Sequence, residues 1–157
     1  MRRRSSKTEL IRDLLSYRLH VVANLLSRGA ELRYRREFGV SLWEWRTIAL
    51  LGAAAEPLSL NELSRSAGIH KSQMSRVVSG LAKRRIVLRE DHPDDGRGVS
   101  LALSRTGRKL YDGLIHAAEE RDAAFRGCLS SKEKKMFDAA LSKLATQARA
   151  FIQEEKR

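Results

Sequence analysis

Cysteine is almost missing from this chain. Cys128 stands alone, so no disulfide can form within the molecule, and a reducing, cytoplasmic setting is expected. Proline occurs only at Pro57 and Pro93. Hydrophobic runs are short, and none approaches the ~20 residues that a membrane-spanning helix needs. Met1-Arg2-Arg3-Arg4 has the charge of a signal-peptide start, but no apolar segment comes after it, so export is not expected either. Signatures of catalysis are lacking too: there is no nucleophile elbow, phosphate loop, HExxH pair or paired-cysteine metal motif. The four histidines, His20, His70, His92 and His116, lie far apart. His92 with Asp94 and Asp95 has the makings of a chelate, but aspartates before a glycine are ordinarily turn-formers. No metal or cofactor is expected, and the chain is not expected to be an enzyme.

Negative charge is scarce as well. Nineteen Asp and Glu stand against 31 Lys and Arg, giving a formal net charge of +12. A polyanionic partner is implied, although charge alone does not separate nucleic acid from an anionic membrane surface. What remains is ordinary globular material. The 157 residues, 42% hydrophobic and 32% charged, suffice for one domain with a core and exclude a disordered chain.

The stretch from Ser59 to Arg105 is the most informative. Ser59-Leu60-Asn61-Glu62 is a capping box, in which hydroxyl and carboxylate each satisfy a first-turn amide. Leu60, Leu63 and Ala67 recur at helical spacing, and Gly68 can end the short helix in a left-handed conformation. A second helix is predicted from His70 to about Arg85, with Met74, Val77, Val78 and Leu81 inward. Its opposite face carries Ser72, Arg76, Ser79 and Lys83, flanked by Gln73 and Ser75, and has no carboxylate. Such a face suits a DNA major groove, where base edges need hydrogen-bonding groups and phosphates need cations. Ile86 and Leu88, then Val99, Leu101 and Leu103, alternate with polar residues as two half-buried strands would. Between them Asp91-His92-Pro93-Asp94-Asp95-Gly96-Arg97-Gly98 reads as a projecting loop. Helix, turn, helix and hairpin in this order make a winged helix.

The run from Asn61-Glu62-Leu63-Ser64 through Lys71-Ser72-Gln73-Met74-Ser75-Arg76-Val77-Val78 to Leu81-Ala82-Lys83-Arg84 resembles the MarR family of bacterial transcription regulators. So do Asp95-Gly96-Arg97 in the wing and the run Leu103-Ser104-Arg105-Thr106-Gly107 after it. Three departures stand out: Arg85 replaces a usual glycine, His70 a better N-cap, and Gln73-Met74 a more usual Thr-Val. The resemblance implies a mainly α fold with a small β-hairpin wing, acting as a homodimer on double-stranded DNA, with no membrane partner. It implies that Asp95 orients Arg97, whose guanidinium suits the narrow minor groove of A·T-rich DNA. On this reading Ser72, Gln73, Ser75 and Arg76 face base edges, while Lys71, Ser79, Lys83, Arg84 and Arg89 hold phosphates. A small-molecule effector, such as an aromatic acid, is implied too, with Tyr17, His20, Trp43, Trp45 and Arg46 as candidate pocket residues.

The flanks are helical. Thr8 to about Phe38 reads as one helix, striped by Leu10, Leu14, Tyr17, Val21, Leu25 and Leu32 and widened by Ile11, Leu15, Val22 and Leu26. A stripe this wide exceeds what a small winged helix can cover, and a second subunit is its natural cover. The basic run Arg28 to Arg36 reads as a solvated face, and Arg2 to Lys7 as a basic arm that either floats or touches phosphates. Gly39 breaks the pattern and a second capping box, Ser41 to Glu44, opens a helix with Leu42, Trp45, Ala49 and Leu50 inward and Gly52 at its end. Ser104 can cap a helix reaching Gly127. A third capping box, Ser130 to Glu133, opens a last helix with Met136, Phe137, Ala140, Leu141, Leu144, Ala148, Phe151 and Ile152 on one face. One domain with two lobes results: residues 8–56 and 104–157 as a dimerisation lobe, and 57–105 as a DNA-binding lobe. A sequence-specific, ligand-released repressor is the function expected. A non-specific architectural DNA binder, a protein-interaction module and a redox sensor built on Cys128 are the alternatives, although Cys128 reads as a passive buried thiol.

Overall fold

Serine caps open four of the described helices and left-handed glycines close two, which sets those helix limits from local sequence. The computed structural model describes residues 7–92 and 98–156. Its elements are α1 (Lys7–Asp13), α2 (Leu15–Phe38), α3 (Leu42–Ala53), β1 (Leu58–Ser59), α4 (Leu60–Ala67), α5 (Lys71–Lys83), β2 (Val87–His92), β3 (Gly98–Leu103), α6 (Arg105–Gly127) and α7 (Ser131–Glu154). The expected mainly α fold with a β-hairpin is therefore present. All three capping boxes form, at Ser41, Ser59 and Ser130, each with the serine hydroxyl accepting from the glutamate amide three residues on. In two of them the serine amide and hydroxyl also bond the carboxylate and hold the Glu62 and Glu133 carboxyls below their usual range. Gly39 and Gly68 close α2 and α4 with φ of 64° and 68°, the left-handed conformation a C-terminal cap requires.

Four expectations need correction. The helix expected from Thr8 to Phe38 is broken at Leu14, whose ψ of 132° is extended. The Leu14 amide bonds the Ile11 carbonyl at 3.2 Å, closing a four-residue turn. No glycine or proline marks the spot and the apolar stripe runs straight across it, so the sequence carried no sign of the break. In α3 the buried face is Trp45, Thr47, Ile48 and Leu51, while Leu42, Ala49 and Leu50 are only half-buried. Gly52 does not end α3; it lies under the ring of Tyr111, where a methyl group would overlap the ring carbons. In the hairpin Val87 is buried and Leu88 exposed, the reverse of the expected alternation, and Ile86 is buried ahead of the strand. The reason is that Ile86 lies in the bend ahead of β2, so the alternation of the strand starts at Val87.

The sheet has three antiparallel strands in the order β1-β3-β2, with Val87 opposite Leu103, Arg89 opposite Leu101, and Leu58 opposite Leu101 on the other side. β1 was not expected, being too short at two residues to show alternation. The core of fully buried side chains draws on every layer of the winged helix and its supports: Tyr34, Ile48, Leu63, Met74, Leu81, Leu101 and Leu114. By contacts the chain divides into two compact units, Met1–Ile115 and His116–Arg157. In the first, α1, α2 and Leu14 between them expose Leu10, Ile11, Leu14, Leu15, Val22, Leu25, Leu26 and Leu32. In the second, α7 buries no residue and exposes Met136, Phe137, Leu141, Phe151 and Ile152. Among the described residues no helix is long and apolar enough to cross a membrane.

Arg85 is the only non-glycine among the described residues with positive φ. A β-carbon in this conformation crowds the next carbonyl, at a cost of about 1–2 kcal/mol. Arg85→Gly is therefore expected to stabilise the fold by about 1 kcal/mol and raise Tm by roughly 2–4 °C, read by thermal unfolding. An unchanged or lower Tm would mean that the side chain compensates the strain.

Candidate nucleic-acid interface

The interface is built on α4 and α5. Leu63 and Ser64 anchor α4, and Met74, Val78 and Leu81 anchor α5, all buried, with Val77 half-buried beside them. Anchoring along one side fixes which residues remain outside. Lys71, Ser72, Gln73, Arg76 and Lys83 are exposed, while Ser75 and Ser79 are half-buried. The expected outer face therefore exists as one surface, rich in donors and cations and free of carboxylates. Met74 is no part of it: fully buried, its sulfur accepts the Thr47 hydroxyl at 3.5 Å. Of the Gln73-Met74 pair only Gln73 can meet a base. His70 precedes α5 with extended backbone and makes no side-chain cap bond. The amides of the first turn of α5 are thus not capped by that side chain, at the end that carries Lys71 and Ser72.

Two expected phosphate ligands differ from the rest. Arg89 lies on β2, exposed, opposite Leu101 in the register. Arg84, by contrast, donates to Glu44 Oε1 at 2.9 Å and to the Gly39 carbonyl at 3.2 Å. Its guanidinium is engaged by partners within the chain, at the surface. Residues forty positions apart leave no mark of this pairing in local sequence, so Glu44 and Gly39 went unnoticed as partners of the helix end. Asp95 and Arg97 lie outside the described residues, as do most of the basic arm and Asp94. Ser104 ties the wing to α6: its hydroxyl donates to the Arg85 carbonyl at 2.7 Å and accepts the Gly107 amide at 2.9 Å, which caps the helix as expected.

The effector candidates separate. Trp45 is a core residue, packed against Tyr34 with ring centroids 5.2 Å apart. Arg46 places its guanidinium 4.8 Å from the Trp43 ring centre and 3.4 Å from the Ser27 hydroxyl. Such a cation over an indole is a recurrent stabilising contact, worth up to ~1 kcal/mol where exposed. Tyr17 and His20 are exposed on α2, where His20 Nε2 lies 2.8 Å from the Asn24 amide nitrogen. Tyr17, His20, Asn24 and Ser27 share helical spacing along one face, and Arg46 of α3 reaches the last of them. Ser27 is the residue missed from sequence, since only the α2–α3 packing brings Arg46 to it. In the Arg28–Arg36 run Ala30 and Tyr34 are buried, and the charged side chains lie outside them with ion pairs such as Arg33 to Glu37 at 2.9 Å. Burial alone would disfavour the Glu31 charge, but the Leu42 amide and Arg35 outweigh it and hold its carboxyl below the usual range. Cys128 is exposed, contrary to the buried thiol expected, because it sits in the turn after α6; its S–H donates to the Phe125 carbonyl at 2.9 Å.

Comparison with known proteins agrees with this geometry. A MarR family model matches residues 38–98, from the end of α2 to the first residue of β3. The HTH-type transcriptional regulator FarR of Neisseria gonorrhoeae is 29% identical over 102 residues, 65% of this chain and 69% of its own length. The crystal structure of a MarR/EmrR family transcriptional regulator from Acinetobacter sp. ADP1 superimposes with a TM-score of 0.78 at 26% identity, covering 86% of this chain and 94% of that one. The S. aureus MepR–DNA complex shares the fold at a TM-score of 0.78 and 18% identity, over 85% of this chain and 98% of that one. With its capped helix-turn-helix and antiparallel wing, the chain matches the MarR family over residues 38–98 and is similar to these winged helix-turn-helix transcription regulators.

Proposed function

We propose that this regulator is a homodimeric repressor that reads a pseudo-palindromic duplex and is released by a small ligand. The observation that carries the reading is the outer face of α5, where exposed Ser72, Gln73 and Arg76 stand between Lys71 and Lys83 with no acidic side chain among them. Arg76 and Gln73 contact base edges in the major groove. Ser72 and Ser75 assist them, and Lys71, Ser79, Lys83 and Arg89 hold phosphates. Arg97, aimed by Asp95, enters the minor groove. Residues 8–56 and 104–157 supply the dimer contacts, and 57–105 the DNA contacts. The DNA held by MepR in its complex gives this docking a precedent on the same fold. The effector enters between dimer and DNA-binding elements, against Tyr17, His20, Trp43 and Arg46. Arg46 offers the positive charge that an aromatic carboxylate needs.

Selection of bound duplexes from a random pool tests the reading at its root. A palindromic consensus with half-sites about one helical turn apart is the expected result. A pool with no consensus would instead mark a non-specific architectural binder, and failure to bind even at low salt an interaction module. Against the selected duplex, Arg76→Ala is expected to cost about 1–3 kcal/mol and to relax preference at one position per half-site. Lys83→Ala is expected to weaken all duplexes alike and lower the slope of log affinity on log salt by about 0.9. A base-substitution scan at several salt concentrations reads both; the two roles are wrong if the variants exchange these behaviours.

A further inference from the structure

The C-terminal end of α5 is held by a side chain that turns away from the base-reading face. Arg84, the C-cap of α5, donates through Nη1 to Glu44 and through Nη2 to the Gly39 carbonyl. Gly39 is the left-handed cap of α2. Glu44 sits in the first turn of α3, where its other carboxylate oxygen accepts the Ser41 amide at 2.7 Å. One guanidinium therefore joins the ends of three helices. The corner is stiffened further by Glu31 of α2, which accepts the Leu42 amide. The Glu44 side chain is only 19% exposed and Arg84 42%, so the pair lies at the margin of the packed unit rather than loose in solvent.

Exposed ion pairs contribute little to global stability. This one stands at the end of a lever. At 1.5 Å per residue α5 is about 20 Å long, so a tilt of ~5° at Arg84 carries the Ser72 end nearly 2 Å, beyond the tolerance of a hydrogen bond to a base. We propose that Arg84 is a positioning residue: through Glu44 and the Gly39 carbonyl it sets the tilt of α5, instead of holding a phosphate. The proposal rests on the reading of α5 as the recognition helix.

Electrostatics supplies a test in which the two roles differ in sign. Glu44→Gln removes a negative charge, which by itself favours binding to DNA. It also retains an acceptor for the Ser41 amide while turning an amide NH2 toward Arg84. If Arg84 acts through Glu44, both Arg84→Ala and Glu44→Gln weaken binding to the selected duplex about tenfold. The double variant is then no worse than either single one, and the salt slope stays at the wild-type value in all three. If Arg84→Ala instead flattens the slope by about one unit, and Glu44→Gln binds as tightly as wild type or tighter, Arg84 is a phosphate ligand and the proposal is overturned.

Amide hydrogen exchange on the DNA-free protein separates this proposal from the DNA-binding reading. Faster exchange in the last turn of α5 in both variants, with unfolding still cooperative, supports the strap. Unchanged exchange overturns it whatever the DNA data say. A wild type that binds no duplex, but whose variants show the faster exchange, keeps the strap and discards the recognition-helix reading.

Discussion

Phe151→Asp and Leu25→Asp are each expected to turn a dimer into a monomer and to lower DNA affinity by at least a hundredfold. In the isolated chain these side chains are 58% and 67% exposed. A charge placed at so open a position changes the stability of a monomer by only about 0.5 kcal/mol. In a homodimer that covers these faces the same carboxylate would be buried without a partner, at a cost of several kcal/mol. Three to five kcal/mol corresponds to roughly two to three and a half powers of ten in dissociation constant. On the proposed homodimer, loss of the dimer would remove one of two half-site contacts, and DNA affinity would fall with it. Sedimentation at micromolar concentration and titration of the selected duplex measure the two losses, and thermal unfolding confirms that the variants remain folded. Variants that stay dimeric and bind normally would show that α2 and α7 do not form the dimer contact.

The largest effect on stability is expected from Gly107→Ala. Gly107 lies in the first turn of α6, where its amide bonds the Ser104 hydroxyl. A β-carbon at this position would stand far inside van der Waals contact with the Ile86 carbonyl oxygen, with the Leu103 side chain also close. That oxygen accepts the Ser104 amide at 3.0 Å, so it cannot retreat without breaking the join between α5, the wing and α6. Overpacking against backbone sits at the upper end of the usual range, about 3 kcal/mol, or roughly 6–12 °C in Tm. Gly29→Ala is the internal control. It lies within α2 with nothing near its missing β-carbon, and alanine there should stabilise the helix by up to ~1 kcal/mol. Equal responses at the two sites would mean that Gly107 is not held by the Ile86 contact.

Legibility in the sequence depended on the range of the interaction. The three capping boxes and the glycine caps were legible because their partners lie within four residues, and a side chain three positions from an amide has few other places to go. The recognition face was legible for a related reason. Helical periodicity alone separates Met74, Val78 and Leu81 from Ser72, Arg76 and Lys83, and one apolar stripe must be buried. Register was less secure. The alternation was counted from Ile86, which lies in the bend ahead of β2, so Val87 and not Leu88 is the buried residue of the strand's start.

By itself, then, the sequence determined the element order, the winged helix and the cationic, carboxylate-free face of α5, since each arises from neighbours along the chain. Only the tertiary structure decided where Arg84 points, that Gly52 and Gly107 are seats for Tyr111 and the Ile86 carbonyl, and that Cys128 is exposed. Each of these depends on what distant segments bring into reach. Periodicity constrains which side of an element is buried, but it holds no information about which atom of another element lies opposite.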